Sequence, residues 1–254
     1  MRYLQRLALG GALLFALGAS LGQAQSISGT QRTEIERIIR DYLLKNPEVL
    51  QEAIQELEKR QTVAEAEKHQ AAVKDNAQAL FNSERHVVAG NPKGDVNFVE
   101  FFDYNCGYCK RAMTDMFDLM KADPKVRVVL KEFPVLGPPS IDAAKVGVAV
   151  RMQDKSGKKY LEFHQKLLTG RGQVDKARAI AAAKEVGLDV ARIERDLGSD
   201  EVRLSLEESF KLAEKLGLNG TPSYVIGENV VVGAVGLASL KEKVNVARCG
   251  KATC

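Results

Sequence analysis

Apolar and polar positions divide the chain into stretches of different period. From Thr33, the residues Ile35, Ile38, Ile39, Tyr42 and Leu43 recur at helical spacing and predict an amphipathic helix. Asn46-Pro47 ends it and opens a second helix, with Asn46 as N-cap and Pro47 at the first helical position. Val49, Leu50, Ile54 and Leu57 form the stripe of that helix, which then decays into Glu, Lys, Gln and Ala up to about Leu80. A helix that is apolar for two turns and then solvated reads as an arm whose apolar end meets a partner chain. The stripe folding back on its own domain is the alternative, and residues 58–80 read as a flexible strut.

The turn cluster Asn91-Pro92-Lys93-Gly94-Asp95 separates this arm from the catalytic domain. Val96 to Phe102 predicts a strand. Cys109 to about Lys121 predicts a helix with Met113, Met116, Phe117 and Met120 on one face, a core pattern rather than a metal site. Val126 to Phe133 is a second, largely β-branched strand, closed by Pro134, Pro138 and Pro139. The pattern is helical from Ser140 to Leu216, in segments at about 140–153, 157–169, 173–187, 189–197 and 199–216. Ser223 to Ile226, a turn at Gly227-Glu228-Asn229, and Val230 to Val232 predict a hairpin, and Leu237 to about Ala247 a last helix. This order predicts an α/β fold with a right-handed parallel crossover and an antiparallel closing hairpin.

The first residues change the picture of where the chain works. Arg2 and Arg6, the apolar Leu7 to Leu17, and Gly22-Gln23-Ala24 have the form of a secretory signal cleaved near Ala24, an uncleaved anchor being the alternative. No later stretch is long and apolar enough to span a bilayer. The expected organisation is a signal over 1–24, a helical oligomerisation arm and linker over 25–81, and a catalytic domain over 82–254. Of the formal charge of +4, Arg2 and Arg6 supply two, so the remainder is too balanced to argue for nucleic acid. Export implies an oxidising compartment in which thiols pair, and spacing pairs Cys106 with Cys109 and Cys249 with Cys254.

Cys106-Gly107-Tyr108-Cys109 falls where a strand ends and a helix begins. The first thiol then faces free backbone N–H groups and the positive end of the helix dipole, both of which favour thiolate. Cys106 is the expected attacking thiol and Cys109 the buried resolving thiol, with no cofactor beyond this redox-active pair. A zinc site is the rival, but His69, His86, His164, Cys249 and Cys254 do not form a second knuckle, and the histidines read as residues without chemistry. Gly107 and Tyr108 are uncharged, so the thiolate is expected to be less stabilised, and the couple less oxidising, than with a histidine there. Glu100 shares a strand face with Phe98 and Phe102, which makes it either a buried proton shuttle for the resolving thiol or a residue at a strand edge. Thr221-Pro222 leads into a strand and, if cis, presents the Thr221 backbone to an extended substrate; a plain turn proline is the alternative. Cys249 and Cys254 read as a small structural disulfide, the rivals being a copper or zinc clip and a second exchange site.

The run Phe101-Phe102-Asp103-Tyr104-Asn105-Cys106-Gly107-Tyr108-Cys109, taken with Thr221-Pro222-Ser223-Tyr224-Val225-Ile226-Gly227, resembles the DsbA-like thioredoxin-fold proteins of bacteria over about residues 33–247. The resemblance implies a thioredoxin fold with a helical domain inserted at about 138–217, the family's buried acid at Glu100 and its cis-proline at Pro222. The arm is similar to that of ScsC-type proteins linked with copper tolerance, which implies a homo-oligomer, a trimer in the first place. Gly107-Tyr108 and Thr221 are similar to the disulfide isomerases of the DsbC type. Together these imply a periplasmic isomerase or reductase of exported proteins with non-native disulfides, kept reduced by a membrane thiol reductant of the DsbD/ScsB type. The rivals are a monomeric DsbA-type oxidase and a copper-binding protein.

Overall fold

Ser28 sets the start of the first helix in the computed structural model, which describes residues 28–254. The expected signal and its cleavage near Ala24 lie outside the described residues. Ser28 Oγ accepts from Gln31 N–H at 3.3 Å and Gln31 Oε1 accepts from Ser28 N–H at 2.9 Å, a reciprocal cap that opens α1 (Gly29–Lys45) ahead of Thr33. The polar first turn carries no periodicity, so the stripe alone placed the start too late. Asn46 closes α1, its N–H bonding Tyr42 O at 2.8 Å, and α2 (Glu48–Asp75) and α3 (Ala77–Phe81) come next. No residue of α1 is buried, and Ile38, Ile39, Tyr42, Leu50, Ile54 and Leu57 are exposed.

The described residues up to Leu57 form one compact unit and Glu58–Cys254 the other. The stretch expected as a flexible strut belongs to the larger unit. Val73 and Leu80 are buried in a cluster with Val99, Phe101, Val129, Leu212 and Val225. Isolated apolar residues in a polar stretch make no stripe, yet they suffice to anchor a helix end on a sheet.

That sheet has five strands in the order β1-β3-β2-β4-β5: β1 (Val87–Gly90), β2 (Val96–Phe102), β3 (Val126–Glu132), β4 (Ser223–Ile226) and β5 (Asn229–Val232). β2 and β3 are parallel, joined by the crossover helix α4 (Gly107–Ala122); every other pairing is antiparallel. β1 was not foreseen, because four residues running into the Asn91-Pro92 turn are too few to show alternation. The other strands and α4 lie within two residues of their expected bounds.

The helices α5 (Pro138–Gln153), α6 (Lys158–Thr169), α7 (Lys176–Glu185), α8 (Val190–Asp196) and α9 (Asp200–Lys215) are inserted between β3 and β4, and α10 (Leu237–Cys249) closes the order. This is the thioredoxin-like α/β fold with its helical insertion. Alternation splits the sheet. Phe98, Phe102, Val128 and Leu130 join residues of α4, α6 and α10 in the main core, while Val99, Phe101 and Val129 face the opposite cluster with the end of α2, α3 and α9. Among the described residues, no helix is long and apolar enough to cross a membrane.

Candidate active site

β2 ends at Phe102 and α4 begins at Gly107, with Cys106 as its N-cap residue and Cys109 in its first turn. Cys106 is 6% exposed and Cys109 is fully buried; neither is in a disulfide. The Cys106 thiol is pulled down from 9.0 to about 5, first by the Cys109 thiol donating to its sulfur, and further by the Thr221 side chain and the N–H groups of Cys109 and Tyr108. Burial opposes this but does not prevail. When protonated, the Cys106 thiol donates to Thr221 O at 3.1 Å, a single bond that favours the thiol. Burial drives Cys109 in the other direction, far above the ordinary thiol range. One sulfur is therefore a nucleophile at neutral pH and the other a reserve that stays protonated. The Gly107-Tyr108 pair supplies no charge, and hydrogen bonds hold the thiolate instead. Gly107 has open space where a side chain would stand, and Arg111 lies over the exposed Tyr108 ring at 4.4 Å.

The Thr221–Pro222 bond is cis, and the Thr221 carbonyl faces the Cys106 sulfur, so this pair does sit at the thiols. Glu100 is also where alternation put it. It is 2% exposed, flanked in the sheet by Leu130 and Tyr224, and its Oε2 has no hydrogen-bond partner. Burial, with the charge of Cys106 behind it, raises its pKa to about 8. Cys249 and Cys254 are joined in a disulfide remote from these groups. Among the described residues, no group of three or more His, Cys, Asp or Glu side chains is placed to hold a metal ion. Burial holds His86 and His164 neutral, each near a pKa of about 3.

Several groups around the thiols were missed in the sequence. Asp103 accepts from Ser140 Oγ at 2.7 Å and from the N–H groups of Asn105, Val135 and Leu136 at 2.7, 2.9 and 3.0 Å. Asn105 accepts from Val174 N–H at 2.7 Å and donates to Val174 O at 2.8 Å and to Ser140 Oγ at 3.0 Å. Lys110 Nζ donates to the carbonyls of Gly170 and Gly172. These bonds tie the turn before Cys106 to the helical insertion. Asn105→Ala removes three bonds and leaves the Val174 backbone unpaired, so it is expected to cost about 2 kcal/mol of stability. It is also expected to raise the pH midpoint of Cys106 alkylation, because the sulfur is then held less firmly at the helix start. Denaturant unfolding and an alkylation profile check both.

A second buried acid, Glu132, lies beside the site. It accepts from Tyr160 at 2.6 Å and from Tyr104 at 3.0 Å, and burial raises its pKa to about 8. Its signal was available: Glu132 shares a face with Val128 and Leu130, by the same alternation that singled out Glu100.

A family model for DSBA-like thioredoxin domains matches residues 98–245, and one for the copper resistance protein ScsC N-terminal domain matches residues 31–64. A thioredoxin-like oxidoreductase from Silicibacter pomeroyi DSS-3 is 44% identical over 67% of this chain and 96% of its own, with a TM-score of 0.64. A linker-deletion mutant of Proteus mirabilis ScsC is 28% identical over 88% of this chain and 98% of its own, with a TM-score of 0.65. The probable disulfide bond formation protein D of Bacillus cereus is 24% identical over 168 residues, which is 77% of that protein. A match of 169 residues, also 24% identical, spans only 25% of the length of the Na(+)/H(+) antiporter NhaA 1 of Salinispora arenicola.

Proposed function

Since this chain belongs to the family of DSBA-like thioredoxin domains, which are thiol-disulfide oxidoreductases, we propose that it is a periplasmic disulfide isomerase and reductase of exported proteins. The observation that carries the reading is the opposite treatment of two neighbouring sulfurs, Cys106 held as thiolate and Cys109 held as thiol. The Cys106 thiolate attacks one sulfur of a client disulfide, and the other client sulfur leaves as thiolate. The mixed disulfide then has two fates. The freed client thiolate attacks another client disulfide, and the thiolate released there attacks the client sulfur bonded to Cys106, which leaves as thiolate; or Cys109 yields its proton to Glu100 and attacks the Cys106 sulfur, and the client sulfur leaves as thiolate. Because Cys109 resists ionisation, the mixed disulfide lasts long enough for the first fate. The second leaves a Cys106–Cys109 disulfide, which a membrane thiol reductant returns to the dithiol. The pair needs no added cofactor. Thr221 and Pro222 carry the extended client past the sulfur, with Gly107 leaving room and Tyr108 offering an exposed ring.

The uncovered apolar residues of α1 and early α2 support a homo-oligomer, a trimer by the likeness of residues 31–64 to the ScsC N-terminal domain. Several active sites around one client raise the effective concentration of thiolate. Ile38→Lys/Ile54→Lys is expected to convert a trimer to a monomer by light scattering. The same variant should lose most of its isomerase rate while Cys106 alkylation stays unchanged.

The pKa of Cys106 favours a second reading, because a well-stabilised thiolate makes the dithiol form more stable and the disulfide more oxidising. On that reading the protein is a monomeric dithiol oxidase. Rescue of scrambled ribonuclease, set against oxidation of reduced ribonuclease, separates the two. Rescue by the oligomer supports isomerisation. A monomer that oxidises readily and rescues nothing would overturn it.

A further inference from the structure

α10 has anchors besides the Cys249–Cys254 bridge. α10 is already anchored by the buried Leu240 and Val244, by the close approach of Ala247 to Gly227, and by Arg248, which pairs with Asp95 and Asp123 at 2.7 Å each. The bridge lies beyond these anchors. Both cysteines and residues 250–254 are exposed, and the sequence separation across the bridge is only 5. A loop that short constrains the unfolded chain little. Exposed disulfides are the ones open to thiolate attack, and Lys251 inside the loop adds a positive charge near a departing thiolate.

The bridge is out of reach of its own chain's dithiol. Cys106 caps the start of α4, and Arg248 pairs with Asp123, which caps its end. The 16 residues between them rise about 24 Å.

We propose that Cys249–Cys254 is a second redox couple, reduced in trans by the Cys106/Cys109 dithiol of another copy of this chain; the inference rests on the reading of that dithiol given above. The Cys106 thiolate of one copy attacks one sulfur of the tail bridge of the other, and the second tail sulfur leaves as thiolate and takes a proton. Cys109 then loses its proton and attacks the Cys106 sulfur, and the first tail sulfur leaves and is protonated in turn. Two electrons pass, Cys109 gives up one proton and solvent supplies the other: the donor gains a Cys106–Cys109 disulfide and the acceptor becomes a tail dithiol.

The test uses two full-length variants. The acceptor is Cys106→Ser/Cys109→Ser with its tail bridge intact, and the donor is fully reduced Cys249→Ser/Cys254→Ser. Tail thiols are counted by alkylation and mass measurement over time. The expected result is labelling of both tail cysteines in step with loss of the donor dithiol, at least tenfold faster than with a donor alkylated beforehand at Cys106. A donor that also carries Cys109→Ser should give a covalent pair of chains, linked from Cys106 to a tail cysteine. A tail that stays oxidised while the same donor reduces insulin would overturn the inference and leave the proposed function standing. A donor that reduces neither substrate would overturn both.

Discussion

Cys106→Ser is expected to bring thiol-disulfide exchange down to the uncatalysed rate, in insulin reduction and in rescue of scrambled ribonuclease alike. A serine hydroxyl at the head of α4 is not ionised near neutral pH and does not open a disulfide. Cys109 does not substitute for it, because burial keeps that thiol protonated. Cys109→Ser should behave differently. Its Cys106 still attacks, so client proteins accumulate as mixed disulfides, visible as reducible high-mass bands. If both variants lost attack equally, the division of labour between the sulfurs would be wrong.

Glu100→Gln carries the second large effect, and it acts on rate and stability in opposite directions. Glutamine accepts no proton, so resolution of a preformed mixed disulfide should slow by about 10²-fold. In the wild type this step should quicken as pH rises through about 8, where Glu100 ionises, and in the variant that rise should be missing. Stability moves the other way. The carboxyl has a pKa of about 8 folded against 4.5 unfolded, so between those values the folded chain holds a proton the unfolded chain releases. Wild-type stability therefore falls as pH rises across that window, by about 1.4 kcal/mol per pH step. The reduced variant should be more stable than reduced wild type by about 3 kcal/mol at pH 7, with the difference gone at pH 4. Denaturant melts of the reduced proteins at the two pH values check the sign, and a variant less stable than wild type at pH 7 would contradict it.

Most of the scaffold around the thiols could be read in advance because its signals are local. Val96 to Phe102 is apolar nearly throughout and stops at the cysteines, so strand, turn and helix announce themselves in one run. Glu100 stood out as a charge in that run. What escaped depends on contacts between distant segments. Nothing near Asn105 indicates that its amide will clasp the Val174 backbone, and nothing in residues 87–90 says that so short a piece will pair with β3. Val73 and Leu80 carry no signal until the sheet face they cover exists. That Cys106 is acidic was legible from its place at the helix start, but the largest source of that acidity was not. Its main cause is the Cys109 thiol turned toward it, with the Thr221 side chain as a further donor from the far side of the insertion.

The account stands on Cys106 being an anion at the pH where the protein works, and the pH dependence of its alkylation tests this most directly. In the fully reduced protein, with mass measurement to assign the label, the rate at Cys106 should level off above a midpoint near pH 5, while Cys109 stays unlabelled. A midpoint near the ordinary thiol value of 9.0, or equal labelling of the two cysteines, would contradict it.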